Sequence, residues 1–269
     1  MKLSLTLFLA AAAALALFPV HGARADDARA REIMQMVNDR YDGDTGIADQ
    51  EMILIDKRGN ERVRRIRTFE KEFGKDSRRI MFFQEPPDVK DTAFLTYDYD
   101  ESGRDDDQWL YLPALKKVKR IASSEKDGSF MGSDFTYGDM TTRELSKYTF
   151  KILDEKVVRG QKTWVIEALP ISGEVVDEFG YTKSVVFVRQ DNYVVVRGVF
   201  WLNKGDKVKY LDVPDIREIN GVWTSMEMHM KTQQGDRVLH STVFKTLGVK
   251  YNQEIEDDMF TTRRMEKGL

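Results

Sequence analysis

Residues 107–140 read DQWLYLPALKKVKRIASSEKDGSFMGSDFTYGDM, and this stretch decides how the rest of the chain is interpreted. Its first part, from Trp109 to Leu112, predicts a short strand that Pro113 ends, because proline cannot donate a hydrogen bond to a sheet ladder. A basic cluster follows directly, made of Lys116, Lys117, Lys119 and Arg120. Such a cluster is most often a solvated face. Beside an apolar groove, however, it predicts contact with an anionic head group or an acidic partner.

The end of the stretch is apolar but irregular. Two glycines interrupt it, and its bulky side chains follow neither the strand nor the helix period: Phe130, Met131, Phe135 and Tyr137. An exposed apolar loop is costly, so this segment either packs over a core or covers an apolar site. We predict a movable cover over an apolar groove that the protein's own side chains leave unfilled. The alternative is a long connection held down by its aromatic rings.

Residues 1–25 have the features of a secretory signal peptide. Lys2 gives a positive start, a mostly apolar run extends from Leu3 to Val20, and Ala23-Arg24-Ala25 is a small-x-small cleavage site. We therefore predict cleavage of residues 1–25 and a soluble, exported domain of residues 26–269 in a Gram-negative periplasm. The sequence contains no cysteine, so neither a disulfide nor a lipid-attachment cysteine is expected.

The predicted mature chain is mildly acidic. Residues 1–25 contain Lys2 and Arg24 and no acidic residue, so their removal changes the formal charge from −3 to −5. A general nucleic-acid binder would need a net basic face, and that class is therefore not expected. The sequence shows neither a low-complexity linker nor a repeat of fixed period, which favours a single domain.

The remaining pattern predicts one helix followed by a β-meander. Residues 26–41 predict an N-terminal helix, because Ile33, Met34 and Val37 fall near one apolar stripe. From Ile47 onward we predict about eleven strands joined by short polar turns, an arrangement that favours antiparallel pairing. The predicted fold class is mainly β, a strongly curved antiparallel sheet or open β-barrel with the N-terminal helix and a loop-helix cover.

One strand near the C-terminus, residues 222–232, suggests an adaptable apolar surface. Its one face carries three methionines in succession, Met226, Met228 and Met230. Methionine is flexible and polarizable, so such a row suits ligands of variable shape, although methionine is more often plain core. If Gln234-Gly235 centres the following hairpin, His229 lies opposite His240 on the other face, near Glu227. A cross-strand pair facing solvent is the interpretation we favour there, and no metal site is predicted because a spacing motif is lacking.

The residue types that act in catalysis do not form a recognisable active-site motif in this sequence. The sequence has neither a cysteine nor a G-x-S-x-G motif, and outside residues 1–25 its only histidines are His229 and His240. Asp134 and Asp139 form a conceivable carboxylate pair, but their loop setting favours surface acids or turn caps. We therefore predict no enzymatic activity, no catalytic residue and no cofactor.

Three pieces of the opening stretch together resemble a known family. WLYLP at 109–113, KKVKRI at 116–121 and FMGSDF at 130–135 are similar to the signature of the periplasmic outer-membrane lipoprotein-sorting-like proteins, the LolA/LolB-like superfamily. The similarity extends over the predicted mature chain and is greatest to the branch found alongside RND or MMPL-type exporters. It implies an open β-barrel with helices and a loop across its mouth, an apolar cavity for acyl chains, and no catalytic residues.

Two functional hypotheses follow from the residues and the resemblance together. The first is a periplasmic carrier that shelters lipid or lipoprotein acyl chains and shuttles them between membranes, with an inner-membrane exporter as a partner and only transient membrane contact. Its candidate ligand-binding residues line the groove or its cover: Trp109, Leu112, Phe130, Met131, Phe135, Tyr137, Met226, Met228 and Met230. The second is an adaptor that docks on an RND-type exporter through the basic cluster and carries no cargo.

Overall fold

The computed structural model describes residues 26–269, so the predicted signal peptide lies outside the described residues. The predicted fold class is confirmed: the protein is mainly β, with a curved, unclosed antiparallel sheet and few helices. The helices are α1 (Ala28–Asn38), α2 (Gly173–Phe179) and α3 (Thr262–Lys267). The thirteen strands are β1 (Thr45–Asp56), β2 (Glu61–Phe73), β3 (Asp76–Glu85), β4 (Ala93–Asp98), β5 (Asp107–Leu112), β6 (Lys117–Ile121), β7 (Tyr148–Val158), β8 (Gln161–Pro170), β9 (Tyr181–Arg189), β10 (Val195–Leu202), β11 (Lys207–Ile219), β12 (Val222–Gln234) and β13 (Arg237–Tyr251).

The sheet consists of two meanders joined side by side. Its strand order is β6-β5-β4-β3-β2-β1-β13-β12-β11-β10-β9-β8-β7. Sequential hairpins build β1 to β6 and β7 to β13, and the antiparallel pairing of β1 with β13 joins the two halves. β6 and β7 are the edges. Both edges carry exposed lysines, which discourage pairing with another chain.

The prediction of about eleven strands was too low, and β6 shows one reason. No strand was predicted for the basic cluster after Pro113, yet Lys117 to Ile121 form a strand that pairs with β5. The chain reverses between the two strands, where Lys116 has a positive φ of 48°. The side chains of Lys117, Lys119 and Arg120 are exposed, while Ile121 is buried. Long charged side chains can occupy an edge strand because their ends reach water.

Helix α1 is shorter than predicted and packs against β7 at the edge of the sheet. Its N-cap is Asp27, whose carboxylate accepts hydrogen bonds from the N–H groups of Arg29 and Ala30. Asp26, predicted to be helical, instead accepts a hydrogen bond from the Phe150 N–H of β7 at 2.8 Å. Ala30, Ile33 and Met34 of α1 are buried, as their helical spacing indicates.

The sheet has an apolar core on each face. The inner-face core includes α1 and side chains from strands across the sheet, among them Met52, Ile66, Phe83, Phe94, Ile166, Val186, Met230 and Phe244. The outer-face core lies over β2 to β6, where α3 and the preceding turn cover the sheet with Phe260 and Met265. β3 contributes to both, with Phe83 on the inner face and Phe82 on the outer face. This explains why the sequence of β3 is apolar without alternation.

The helices of residues 26–269 are all too short or too polar to cross a membrane.

Candidate ligand-binding face and its connecting segment

The inner face is covered by the chain between β6 and β7, residues 122–147, here called the connecting segment. It forms four short 3₁₀ turns and no longer element. Its middle folds back on itself: the Phe130 N–H donates to the Phe135 carbonyl at 2.8 Å, and Ser129 bridges Thr136. Met131 and Gly132 both have positive φ, 51° and 76°, which produces the reversal. Glycine adopts this conformation without steric cost.

The aromatic side chains of this segment fill the inner face. Phe130 is fully buried, with ring centroids 5.0 Å from Phe94 and 6.2 Å from Phe83. Phe135 packs edge-to-face on Phe244 of β13 at 5.5 Å. The predicted segment is thus present over the predicted face, but its side chains occupy the hollow that we expected to be empty. Burying a phenylalanine stabilises a fold by about 1.5–3 kcal/mol, so the inward packing of these rings stabilises the protein.

The other candidate apolar residues divide into three groups. Met230 is buried in the inner-face core, and Met228, Leu112, Met131 and Tyr137 are half-buried against it. Met226 is half-buried outside that core. Trp109 lies on the opposite face, where it packs with the outer-face core and its ring is 5.0 Å from Tyr97. The structure therefore separates Trp109 from the rest of the predicted groove, because alternation along β5 turns it away from Leu110 and Leu112.

Asp134 anchors the connecting segment to β12 and β13. Its carboxylate accepts hydrogen bonds from the hydroxyls of Thr232 at 2.5 Å and Thr242 at 2.8 Å, and it pairs with His240 Nδ1 at 2.5 Å. The Asp134 N–H also donates to Thr242 Oγ1 at 2.9 Å. Asp134 is only 1% exposed, so its interpretation as a surface acid was wrong. A buried carboxylate is stable when donors such as these replace its water.

Asp139 anchors the segment at a second point. Its Oδ2 accepts hydrogen bonds from the Thr136 N–H and the Tyr181 hydroxyl, both at 2.8 Å, so Asp139 caps a turn as its loop setting indicated. Lys209 of β11 donates to the Tyr181 hydroxyl at 3.0 Å and is 6% exposed. Burial lowers the pKa of Lys209 and, together with the nearby Asp139, raises the pKa of Tyr181 well above its usual range.

Three further contacts hold the connecting segment in place. The Arg64 guanidinium of β2 donates to the Met131 carbonyl, and burial lowers the pKa of Arg64. At the other side, Lys126 is almost fully buried and lies 3.3 Å from Glu178 of α2. Lys147 approaches the same carboxylate at 3.0 Å. The segment is therefore attached to both halves of the sheet and to α2.

The predicted register of β12 and β13 was wrong. His229 pairs with Val243, and His240 pairs with Thr232, because the turn lies at Gly235-Asp236 rather than at Gln234-Gly235 and a bulge after Thr232 adds one more residue to the shift. His240 consequently lies on the inner face with Asp134, whereas His229 contacts Glu227 on the other face. In residues 26–269 there is no group of three or more potential ligands arranged to hold a metal ion.

The basic cluster is exposed but partly neutralised. Lys119 pairs with Glu125 at 2.7 Å, and Arg120 donates to Asp107 at 2.9 Å. Lys116 and Lys117 are exposed at the turn between β5 and β6. Two of the four predicted contact residues thus remain available to a partner.

Two cavities lie away from the predicted groove. One of about 370 Å³ is lined by Asp26, Phe150 and Glu167 among others, at the β7 edge. The other, of about 730 Å³, is lined by Val63, Arg65 and the loop at Pro86-Pro87. Neither is bordered by the candidate aromatic or methionine residues.

Sequence reasoning missed Lys209, Tyr181, Thr232 and Thr242. Lys209 lies between Val208 and Tyr210 in β11 and has no sequence feature that distinguishes it from a surface lysine. Thr232 follows the methionine row on the same face, and this position was the one available signal.

Comparison with solved structures identifies the fold. The curved, unclosed sheet with its N-terminal helix is the fold of the LolA superfamily: a LolA superfamily protein from Nitrosomonas europaea matches with a TM-score of 0.64 and 18% identity, over 87% of this chain and 98% of that one. A DUF1329 family protein from Desulfovibrio piger matches with a TM-score of 0.79 and 26% identity, over 88% and 98% of the two chains.

Two further matches establish the family. A domain from Vibrio parahaemolyticus, described as an outer-membrane lipoprotein-sorting protein, is 33% identical, with a TM-score of 0.79 over 88% of this chain and 98% of that chain. A family model described only as "Uncharacterized protein" matches residues 75–267. The chain therefore belongs to the family of outer-membrane lipoprotein-sorting-like proteins that the Vibrio domain represents. Comparison with curated proteins finds no match.

Proposed function

We propose that the protein is a non-enzymatic periplasmic carrier that holds lipid or lipoprotein acyl chains on the inner face of its sheet. One observation carries the proposal: the inner face is filled by Phe130 and Phe135 of an irregular connecting segment rather than by side chains of the sheet alone. The segment acts as an internal ligand, and acyl chains replace its rings. The description of the Vibrio relative as a lipoprotein-sorting protein supports the same cargo class.

The magnitudes favour this exchange. Removing two phenylalanine rings from the inner face costs about 3–6 kcal/mol, and each hydrogen bond lost at the anchors costs about 1 kcal/mol. One acyl chain with about 14 buried methylenes contributes roughly 11 kcal/mol at about 0.8 kcal/mol each. A single chain therefore offsets the displacement of the rings and several anchors. Methionines such as Met228 and Met230 adapt to the new occupant.

The periplasmic setting rests on the signal peptide predicted at residues 1–25. Shuttling between membranes and partnership with an RND or MMPL-type exporter are parts of the proposal that rest on the family resemblance. Exposed Lys116 and Lys117 favour the second candidate function, an adaptor that binds such an exporter without cargo.

A reversible disulfide that holds the connecting segment on the sheet tests the carrier proposal. The chain contains no cysteine, so an Asp134→Cys/Thr242→Cys variant would carry its only two thiols, at positions already linked by hydrogen bonds. With a neutral apolar fluorophore such as N-phenyl-1-naphthylamine, we expect binding by the reduced variant and at least a tenfold loss after oxidation. Reduction with dithiothreitol should restore binding, and the reduced state of the same protein is the matched control.

Equal probe binding by both redox states would contradict the carrier mechanism. An adaptor without cargo predicts no probe binding in either state. Native mass spectrometry of protein purified from its own host then identifies the lipid, and protein that is consistently empty would count against the carrier.

A further inference from the structure

The donors around Asp134 form a defined cluster on the inner face. Lys209 pairs with Thr232 across β11 and β12, and Thr232 pairs with His240 across β12 and β13. The three side chains thus lie in one row on neighbouring strands, and Thr242 lies one inward-facing position further along β13. Thr232, Thr242 and His240 all contact the Asp134 carboxylate. We call Lys209, Thr232, His240 and Thr242 the donor cluster.

Lys209 adds to this cluster a positive charge that has no ion pair within residues 26–269. Its ammonium group has three donors, and its hydrogen bond is to the neutral Tyr181 hydroxyl. Neither Asp134 nor Asp139 forms an ion pair with it, although the charges of both favour its protonated form. Burying an ammonium group with so little compensation is costly. An anion beside Lys209 would remove part of that cost.

The next row on the same face is apolar. Leu211 pairs with Met230, Met230 with Thr242, and Thr242 with Leu54, so two half-buried leucines and a buried methionine lie beside the donors. Donors for an anion therefore adjoin a surface for a hydrocarbon chain. This juxtaposition fits an amphiphile whose charged end lies at Lys209 and whose chain extends over Leu211 and Met230.

We propose that the donor cluster is the head-group site for an anionic amphiphile, a carboxylate or a phosphate, and that Asp134 occupies it as the protein's own substitute for that head group. This inference rests on the proposed carrier function and names its ligand class. The ligand anion and Asp134 compete for the same donors, so release of Asp134 also releases Phe130 and Phe135. The affinity measured for the ligand is reduced by the fraction of molecules in which Asp134 holds the site.

Three ligands that share a chain of ten carbons and differ in their head group test the head-group site. Decanol, decanoate and decyl phosphate are titrated against the full chain, with displacement of the neutral fluorophore as the readout. We expect wild-type protein to bind at least one anion about tenfold or more tightly than decanol, which corresponds to about 1.4 kcal/mol. The two anions separate a carboxylate ligand from a phosphate ligand.

Variants assign this selectivity to the cluster. Lys209→Met and the Thr232→Val/Thr242→Val double variant should each bring the ratio of anion to decanol affinity below about twofold. Asp134→Asn should bind the anion more tightly than wild type and should keep or increase the ratio of anion to decanol affinity, because the competing charge is gone. Lys231→Met removes an exposed lysine from the neighbouring position on β12 and should leave the ratio unchanged. Far-UV circular dichroism and the urea midpoint check the fold of each variant.

The outcomes separate the inference from the carrier proposal. Decanol binding without any preference for the anions would overturn the head-group site and leave the carrier intact. A preference that survives in Lys209→Met and in the double threonine variant would also overturn it. Failure of all three ligands to bind, in wild type and in Asp134→Asn, would contradict both proposals.

Discussion

At the scale of single residues, burial decides what an ionisable side chain does. Asp134 and Lys209 look like ordinary polar residues in the sequence, yet both are buried on the inner face. Asp134 is compensated by donors from two strands that lie about a hundred positions away in the chain. Lys209 is compensated mainly by Tyr181. Such groups are stable only while the pairing of distant strands holds their partners in place.

Glu72 gives a residue-scale prediction about pH. Burial, with the carboxylates of Asp42 and Glu70 nearby, raises the pKa of Glu72 from 4.5 to about 7. The folded state thus favours the protonated form, so the stability that Glu72 contributes is complete below about pH 4.5 and is lost as the pH rises towards 7. We therefore compare the free energy of unfolding of Glu72→Gln with that of wild type. As the pH rises from 4.5 to 8, we expect this difference to change in favour of Glu72→Gln by on the order of 1 kcal/mol, after allowance for partial exposure.

Urea denaturation at the two pH values measures this change. Glu61→Gln, an exposed glutamate at the start of the same strand, is the control and should show no comparable trend. A stability difference between Glu72→Gln and wild type that does not vary with pH would contradict the assignment.

At the scale of elements, the connecting segment behaves as part of the core although it contains neither a strand nor a long helix. This irregularity is compatible with the proposed exchange for a ligand, because a regular element would bury a continuous stripe and would be harder to displace. The anchors at Asp134, Asp139 and Arg64 are few and polar, and each contributes only about 1–3 kcal/mol.

Phe130→Ala tests how much the segment contributes to the core. Phe130 is fully buried, so we expect a loss of about 3–5 kcal/mol in the free energy of unfolding. Hydrogen exchange should increase over residues 128–137, and the neutral fluorophore should bind more tightly. Leu115→Ala, at a position that is 62% exposed, is the control and should change stability by about 0.5 kcal/mol or less. A small effect of Phe130→Ala would show that the segment is not an integral part of the core.

The C-terminal helix α3 has a separate role on the outer face. Met265 is fully buried there against the outer-face core, whereas Met36 of α1 is 42% exposed. We expect Met265→Ala to destabilise the protein by about 2–5 kcal/mol and Met36→Ala by less than about 1 kcal/mol, as measured by urea denaturation. The affinity for the neutral fluorophore should be unchanged in both variants, because α3 lies on the face opposite the proposed site. Loss of probe binding in folded Met265→Ala protein would place the site elsewhere.

At the scale of the whole molecule, the surface charge of one sheet edge bears on membrane contact. The chain is acidic overall, yet Lys116 and Lys117 project at the turn beside the β6 edge. We expect Lys116→Glu/Lys117→Glu to reduce partition onto phosphatidylglycerol vesicles at least tenfold, since each lysine contributes about 1 kcal/mol near an anionic surface. Sedimentation with vesicles measures the partition.

The control for this prediction lies at the opposite edge of the sheet. Lys151→Glu/Lys156→Glu makes the same charge change on β7, where both lysines are exposed. Equal losses in the two double variants would show that net charge, rather than the basic cluster, governs membrane contact. Loss of exporter capture in the β6 variant, with fluorophore binding unchanged, would favour the adaptor.

Local sequence determined much of the fold. The apolar stripe of α1, the polar turns between strands and Pro113 at the end of β5 all act within a few neighbouring residues, so they are visible without the fold. The motif of residues 109–135 likewise predicted the LolA-like fold and the segment that covers the sheet. Tertiary structure alone decided which face each strand buries, as Trp109 shows, and the register that brings His240 to Asp134.

The physical reason is that periodicity is a local property, whereas burial depends on pairing between distant strands. A single bulge after Thr232 moved His240 to the inner face, whereas His229 stayed on the predicted face beside Glu227. In the same way, an irregular apolar segment is compatible with covering a hollow or with filling it, and its own sequence does not choose between them. The packing of the inner face made that choice, because the rings of Phe130 and Phe135 fit there against Phe94 and Phe244.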